Sequence, residues 1–195
     1  MNIEGKVALI TGAGHVKGIG YAIVRQLLGK RVKGVGILDI NDENGREVLD
    51  ILQNEFGEHR VIYVNCDVTS KTDLEGAFEK VKTHFGRLDI VCNNAGIQNE
   101  VNWELTLNIN LMGTIRGTYL ALEHMGVNYG GRGGIVINTA SIAGIMTTSH
   151  FPVYGASKHG IVAFTRNTAS NRTFKENKIR VSAFCPAKVD TPIQD

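Results

Sequence analysis

Tyr154 is followed four residues later by Lys158, and Ser141 stands thirteen residues upstream of the tyrosine. A free tyrosine ionises near pH ~10, too high for a base at neutrality. Residues four apart share one face of a helix. An ammonium there can stabilise the phenolate and lower the tyrosine pKa. A serine hydroxyl nearby can hold a substrate alcohol or carbonyl oxygen against the phenol. Such a set moves a proton while a cofactor moves a hydride. Taken alone, the same spacing also fits a solvated helix face with a half-buried tyrosine.

The segment Thr11-Gly12-Ala13-Gly14-His15-Val16-Lys17-Gly18-Ile19-Gly20 joins an apolar strand-like run to a helical pattern. Glycines there let backbone amides approach a pyrophosphate, and the start of a helix favours its negative charge. Many tight turns look similar, and the place of this one directly after the first strand is what gives it weight. Asp39 closes the second strand-like run, nineteen residues after Gly20. A carboxylate at that point accepts both ribose hydroxyls of an adenosine and repels a 2′-phosphate, which selects NAD over NADP. Lys17 pulls the other way, as a cation near the phosphates. Asp39 carries more weight because its contact with the ribose is direct.

The elements that must position these residues alternate along the chain. Strands are predicted at 7–10, 35–38, 61–64, 88–92, 135–137 and 179–184. Helices are predicted at 20–28, 44–56, from a Ser70 or Thr72 cap to His84, as one long stretch at 103–125, and at 154–168. The helical stretch at 44–56 carries Val48, Ile51, Leu52 and Phe56 on one stripe. Strand–helix alternation at this spacing implies parallel strands, right-handed crossovers and helices on both faces, an α/β doubly wound Rossmann-type sheet. The 195 residues suit a single dinucleotide-binding domain spanning 1–195.

Bulk properties exclude other classes. A 43% hydrophobic, 21% charged chain is neither disordered nor fibrous. A net charge of +2 gives no case for nucleic acid or an anionic membrane. No apolar run is long enough for stable membrane insertion, and residues 1–6 show no signal stretch. Cys66, Cys92 and Cys185 are far apart in apolar contexts and are expected to be buried free thiols, with no metal site. A cytoplasmic protein is the simplest account.

With the glycine-rich turn, Asp39, Asn93-Asn94-Ala95-Gly96, Ser141, Tyr154 and Lys158 all in order, the chain resembles the short-chain dehydrogenase/reductase family over essentially its whole length. The resemblance implies Tyr154 as general base, Lys158 as its activator and a ligand of the nicotinamide ribose, and Ser141 as the group that orients the substrate oxygen. Asn110, in Leu107-Asn108-Ile109-Asn110-Leu111, would hold a water linking Lys158 to solvent; Asn108 competes for that role. Gly12, Gly14, Gly18, Ile19 and Gly20 would surround the pyrophosphate, Asp39 and Ile40 the ribose, and Asp67 and Val68 the adenine. Asn93, Asn94, Ala95 and Gly96 would line the cofactor and support the central strand. Pro186, Val189 and Thr191 would hold the carboxamide end. Homodimers in the family pair through the helices holding Asn110 and Tyr154. Finer matches at 85–90, 102–104, 117–120 and 152–162 resemble a branch that oxidises 15-hydroxyprostaglandin-like alcohols.

Four departures stand out. The first turn is two residues longer than the family pattern, through His15 and Val16. The usual Pro-Gly after the sixth strand is Pro186-Ala187, which is tolerable only if Ala187 keeps a negative φ. Phe151 stands where the branch has a glutamine before Pro-Val-Tyr. The family's further helices and final edge strand have no counterpart before Asp195.

The expected activity is therefore NAD-dependent oxidation of a secondary alcohol on an apolar small molecule to its ketone. Ile97, Ile145, Met146 and Phe151 are the candidates for an apolar cleft. A non-catalytic nucleotide-binding protein of the same fold stays open, as does a retinoid, steroid or terpenoid alcohol as substrate.

Overall fold

The computed structural model describes residues 2–191 and 193. Strand β1, Val7–Thr11, shows how the layers arise. Val7 and Leu9 enter one apolar cluster with Phe78 and Val81. Ala8 and Ile10 enter a second with Val24 and Leu28. Successive side chains of a strand point to opposite faces, so an all-apolar strand demands cover on both sides.

Helices α1 (Ile19–Gly29) and α2 (Asp42–Phe56) cover one face, with Val24, Leu28, Val48 and Leu52 buried. The Asn41 side chain caps α2 by accepting from the Asn44 N–H. Helix α3 (Lys71–Phe85) covers the other face. It starts at Ser70, whose hydroxyl accepts from Asp73 N–H and donates to the Asp73 carboxylate. Of the two cap residues weighed from sequence, Ser70 is the one used.

The remaining strands are β2 (Gly34–Asp39), β3 (Val61–Asn65), β4 (Ile90–Asn93), β5 (Gly134–Thr139) and β6 (Ile179–Phe184). All six predicted strands are present, pairing in parallel in the order β3-β2-β1-β4-β5-β6. The order reverses between β1 and β4. In such a sheet the crevice for a ligand opens at the carboxyl ends of the strands beside that reversal.

The single helix expected over 103–125 is divided. Helix α4 (Trp103–Leu107) passes into a π-helical turn, Asn108–Gly113, before α5 (Thr114–Met125) resumes. A π turn adds one residue to the local repeat and re-aims the side chains within it. Asn110 sits in this turn, fully buried. Helix α6 (Pro152–Ser170) begins with proline at its first position, where a missing N–H costs nothing. A short helix α7, Arg172–Glu176, leads into β6 and carries Phe174 into the core; its five residues are too few for a periodic signal.

Candidate active site

The carboxyl ends of the strands converge on one cavity of about 1000 Å³. At one end lie Asp39 and Ile40 after β2 and Asp67 and Val68 after β3; Gly12, Gly18 and Ile19 form the middle, with Asn94, Ala95 and Gly96 after β4. At the other end lie Ser141, Tyr154 and Lys158, faced by Pro186, Val189 and Thr191.

The glycine-rich turn is shaped by close approaches. Gly12 has φ +63°, in the region that favours glycine. A methyl group on Gly20 would strike the carbonyl of Gly12. The N–H of Gly14 donates to Asp39 Oδ2 at 2.8 Å, and Asn41 N–H donates to Oδ1 at 3.1 Å. The carboxylate is thus fixed at the rim, with lone pairs left to accept further donors. Gly14 and Gly20 shape this turn without lining the cavity. Lys17 is exposed and does not line it either. His15 does, and accepts from Lys17 N–H through Nδ1 at 3.1 Å.

The Asn-Asn-Ala-Gly run is divided in its duties. Asn93 does not face the cavity: it is 3% exposed, and its Nδ2 donates to Asn138 Oδ1 at 2.9 Å and Thr118 Oγ1 at 3.2 Å. It sits at the inward-facing register of β4, which corrects the cofactor-lining expectation and leaves its strand-stabilising one. Asn94 Nδ2 donates to the carbonyls of Gly12 and Thr11 at 2.9 and 3.1 Å. The Thr11 hydroxyl accepts from the N–H groups of Asn94 and Ala95. The run clamps the glycine turn to β4.

Lys158 is 2% exposed, and its Nζ donates to the Thr139 carbonyl at 3.0 Å. Burial pushes its pKa down to about 8. The Nζ lies 5.5 Å from the centre of the Tyr154 ring. Burial also raises the Tyr154 hydroxyl above its ordinary value, while a hydrogen bond with Ser141 draws it back. The sequence-based expectation of a lowered tyrosine pKa is therefore not met in this structure. The physical reason is desolvation, which disfavours both the phenolate and the ammonium that would stabilise it.

Asn110 does not line the cavity. Its amide holds Ile97 at both ends and donates to Ser157 Oγ at 3.0 Å, which in turn donates to the Tyr154 carbonyl at 2.7 Å. Its Oδ1 and the Lys158 Nζ both lie on the side of Gly96 where a Cβ would stand, at 3.2 and 3.3 Å from that position. Asn108 is engaged elsewhere, accepting from Arg116 at 3.1 Å.

Of the apolar candidates, Ile97 and Phe151 line the cavity, whereas Ile145 and Met146 do not and are exposed. Ile142 and Ile193 extend the apolar wall. Thr139 and Ala140 also line it; ending a strand just before Ser141, they were open to discovery by the rule for strand carboxyl ends. Cys66 is a lining residue that no sequence signal marked. Burial pushes the thiols of Cys66 and Cys92 up to about 12, as inert free cysteines. Cys185 is only half-buried. Ala187 keeps its φ outside the left-handed region, so the methyl group is accommodated.

The cavity fits a dinucleotide in size and in the order of its groups: carboxylate, glycine turn, then hydroxyl, phenol and amine. Asp39, the glycine turn and Lys158 would hold NAD.

A model of the short chain dehydrogenase family matches residues 6–195. The 15-hydroxyprostaglandin dehydrogenase [NAD(+)] of Bos taurus is 48% identical over 193 residues, 99% of this chain and 71% of that protein. The Homo sapiens protein of the same name is 47% identical over the same shares. Alcohol dehydrogenase 2 of Ceratitis cosyra is 34% identical over 196 residues, covering 100% of this chain and 74% of that one. Among solved structures, a short chain dehydrogenase/reductase from Burkholderia phymatum in complex with NAD superposes with a TM-score of 0.90 at 26% identity, covering 99% of this chain and 69% of that one.

Proposed function

The chain belongs to the short-chain dehydrogenase family, and on that premise we propose that it oxidises a secondary alcohol of an apolar small molecule to a ketone with NAD. The observation that carries this reading is the shared cavity: Ser141, Tyr154 and Lys158 line it together with Asp39 and the glycine turn. NAD supplies the hydride acceptor when bound. The Ser141 hydroxyl orients the substrate oxygen, and the Tyr154 phenolate takes the hydroxyl proton as the carbinol C–H bond breaks. Burial alone disfavours that phenolate, and Lys158, protonated below about pH 8, is the charge that offsets this as the proton moves. In reduction the same phenol returns the proton.

The substrate is 15-hydroxyprostaglandin-like: the relatives so named are nearly half identical over almost the whole chain, and Ile97, Ile142, Phe151 and Ile193 give the catalytic end an apolar wall. Phe151 stands where it can pack on the alcohol but offers no hydrogen bond to its oxygen. Asp39 supports NAD over NADP. The site is carried by one domain, and a cytoplasmic homodimer is the assembly that fits. Trp103, Leu105, Met112 and Tyr119, exposed along α4, the π turn and α5, supply apolar surface for it. No described helix is long and apolar enough to cross a membrane.

The test is reduced-nicotinamide absorbance with a panel of secondary alcohols, prostaglandin E2 included, with NAD and NADP in parallel. Turnover with NAD is expected. NAD binding by calorimetry with no turnover across the panel would replace this reading with a non-catalytic nucleotide-binding protein.

A further inference from the structure

Helix α6 has to begin at a fixed place, because Tyr154 is its third residue. The first N–H groups of a helix have no partner within it. The residue before α6 is Phe151, whose side chain makes no capping bond. Pro152 has no N–H to satisfy, and Gly155 N–H donates to the Phe151 carbonyl at 2.8 Å. That leaves Val153 and Tyr154. Both donate to one side chain far away in sequence: Val153 N–H to Glu100 Oε2 and Tyr154 N–H to Glu100 Oε1, each at 2.9 Å.

We propose that Glu100 is a positioning residue for Tyr154, setting the phenol against Ser141 by locking the start of α6 to the loop after β4. The proposal rests on the oxidoreductase reading for its kinetic consequence and on the geometry alone for the lock itself. A carboxylate at a helix N-terminus is favoured both by the helix dipole and by charge-assisted hydrogen bonds. Glu100 adds specificity to that, because its two oxygens bind two consecutive amides and so fix direction as well as distance.

The loop that carries Glu100 is itself held. Asn99 Oδ1 accepts from Val101 and Asn102 N–H at 3.0 and 2.8 Å, and the Asn99 carbonyl accepts from Thr106 Oγ1 at 2.6 Å. Three residues earlier, Asn110 grips Ile97 at both its N–H and its carbonyl. Tyr154 is thus fastened through both of its backbone polar groups: the N–H to Glu100, and the carbonyl to Ser157, which is held by Asn110. Of the cavity-lining residues, Ile97 is itself one anchor point and Gln98 lies between it and Glu100. Cavity wall and catalytic phenol are therefore held by one frame.

The test compares Glu100→Ala and Glu100→Gln with the wild-type protein. Glu100→Ala should lower kcat about tenfold, since small misplacements of a reacting group are costly, while the NAD dissociation constant stays within about twofold. Glu100→Gln keeps one acceptor oxygen and should recover part of kcat. Amide hydrogen exchange at Val153 and Tyr154 needs no substrate, and should be faster in Glu100→Ala than in wild type. A kcat within about twofold of wild type, unchanged exchange at those amides, or equal losses of kcat, NAD affinity and melting temperature would each overturn the proposal. If Glu100→Ala does not fold, the kcat and amide exchange of Glu100→Gln decide in its place. A wild-type protein silent on every alcohol would count against the oxidoreductase reading, and the exchange measurement would still decide the lock.

Discussion

The side-chain amide of Asn110 closes on the backbone of Ile97 from both sides, accepting its N–H and donating to its carbonyl, each at 2.9 Å. An amide carries its acceptor oxygen and its donor nitrogen on separate atoms, so one side chain can grip both backbone groups at once. Asn110→Ala would leave the part-buried N–H and carbonyl of Ile97 without this partner and remove the donor to Ser157 Oγ, which keeps its own bond to the Tyr154 carbonyl. The expected cost is about 2–3 kcal/mol of stability, read as a lower denaturant midpoint with an unchanged slope. Asn110→Asp should be nearly as damaging, because a carboxylate cannot donate. Stability equal to wild type in both would show that water substitutes freely for the amide.

Tyr154→Phe removes only the hydroxyl that bonds Ser141. Its ring volume and the α6 backbone are kept. General acid–base groups contribute about 10²–10⁴-fold, so turnover should fall by at least about a hundredfold. NAD affinity by calorimetry should stay within about twofold of wild type. Near-normal turnover would remove Tyr154 from the mechanism.

Lys158 links activity to stability in opposite directions. Its pKa is pushed down from 10.5 to about 8 by burial. Between those values the unfolded chain holds the proton and the folded chain does not, so the wild-type contribution to stability rises with pH across that window. Below about pH 8 both states are protonated and the full penalty of burying the charge is present. Lys158→Met should therefore abolish turnover yet stabilise the fold at pH 7, on the order of 2 kcal/mol after the lost bond to Thr139 is set against it. Its advantage should shrink as pH approaches 10.5. Denaturant unfolding of both proteins at pH 7 and pH 10 checks the sign.

Features that depend on local periodicity and punctuation were legible in the sequence: six strands, a cap at Ser70 or Thr72, and the glycine turn before α1. Much of the candidate site was legible because Asp39, Asp67, Asn94 and Ser141 stand at strand carboxyl ends, while Tyr154 and Lys158 were marked by their four-residue spacing on α6. Three features were not. The π turn at Asn108–Gly113 has the same apolar pattern as an α-helix, and what sets it apart is the longer i→i+5 backbone repeat, which no side-chain pattern marks. The inward aim of Asn93 depends on strand register, because one residue decides which face a side chain takes. The pairing of Glu100 with Val153 and Tyr154 joins residues more than fifty apart. Its only local trace is negative: a helix start at Phe151-Pro152 with no capping side chain of its own.

On the proposed reading, coenzyme choice rests on Asp39 and on Gly14, which bonds it. Asp39 Oδ2 accepts from Gly14 N–H at 2.8 Å, so the carboxylate is aimed before any ligand arrives. Hydrogen bonds to a charged group are worth about 1.5–3 kcal/mol. Asp39→Ala should therefore raise the KM for NAD about ten- to a hundredfold. The same change removes the charge that repels a 2′-phosphate, so the ratio of NADP to NAD efficiency should rise even if NADP remains the poorer coenzyme. Gly14→Ala tests the aim separately: an added methyl would lie 2.7 Å from Asp39 Cβ and Cγ, so the carboxylate must shift while its charge is kept. That variant should lose NAD affinity and still reject NADP. Parallel kinetics with both coenzymes separate the two effects, and equal losses for NAD and NADP in Asp39→Ala would show that the carboxylate supports the turn without selecting the coenzyme.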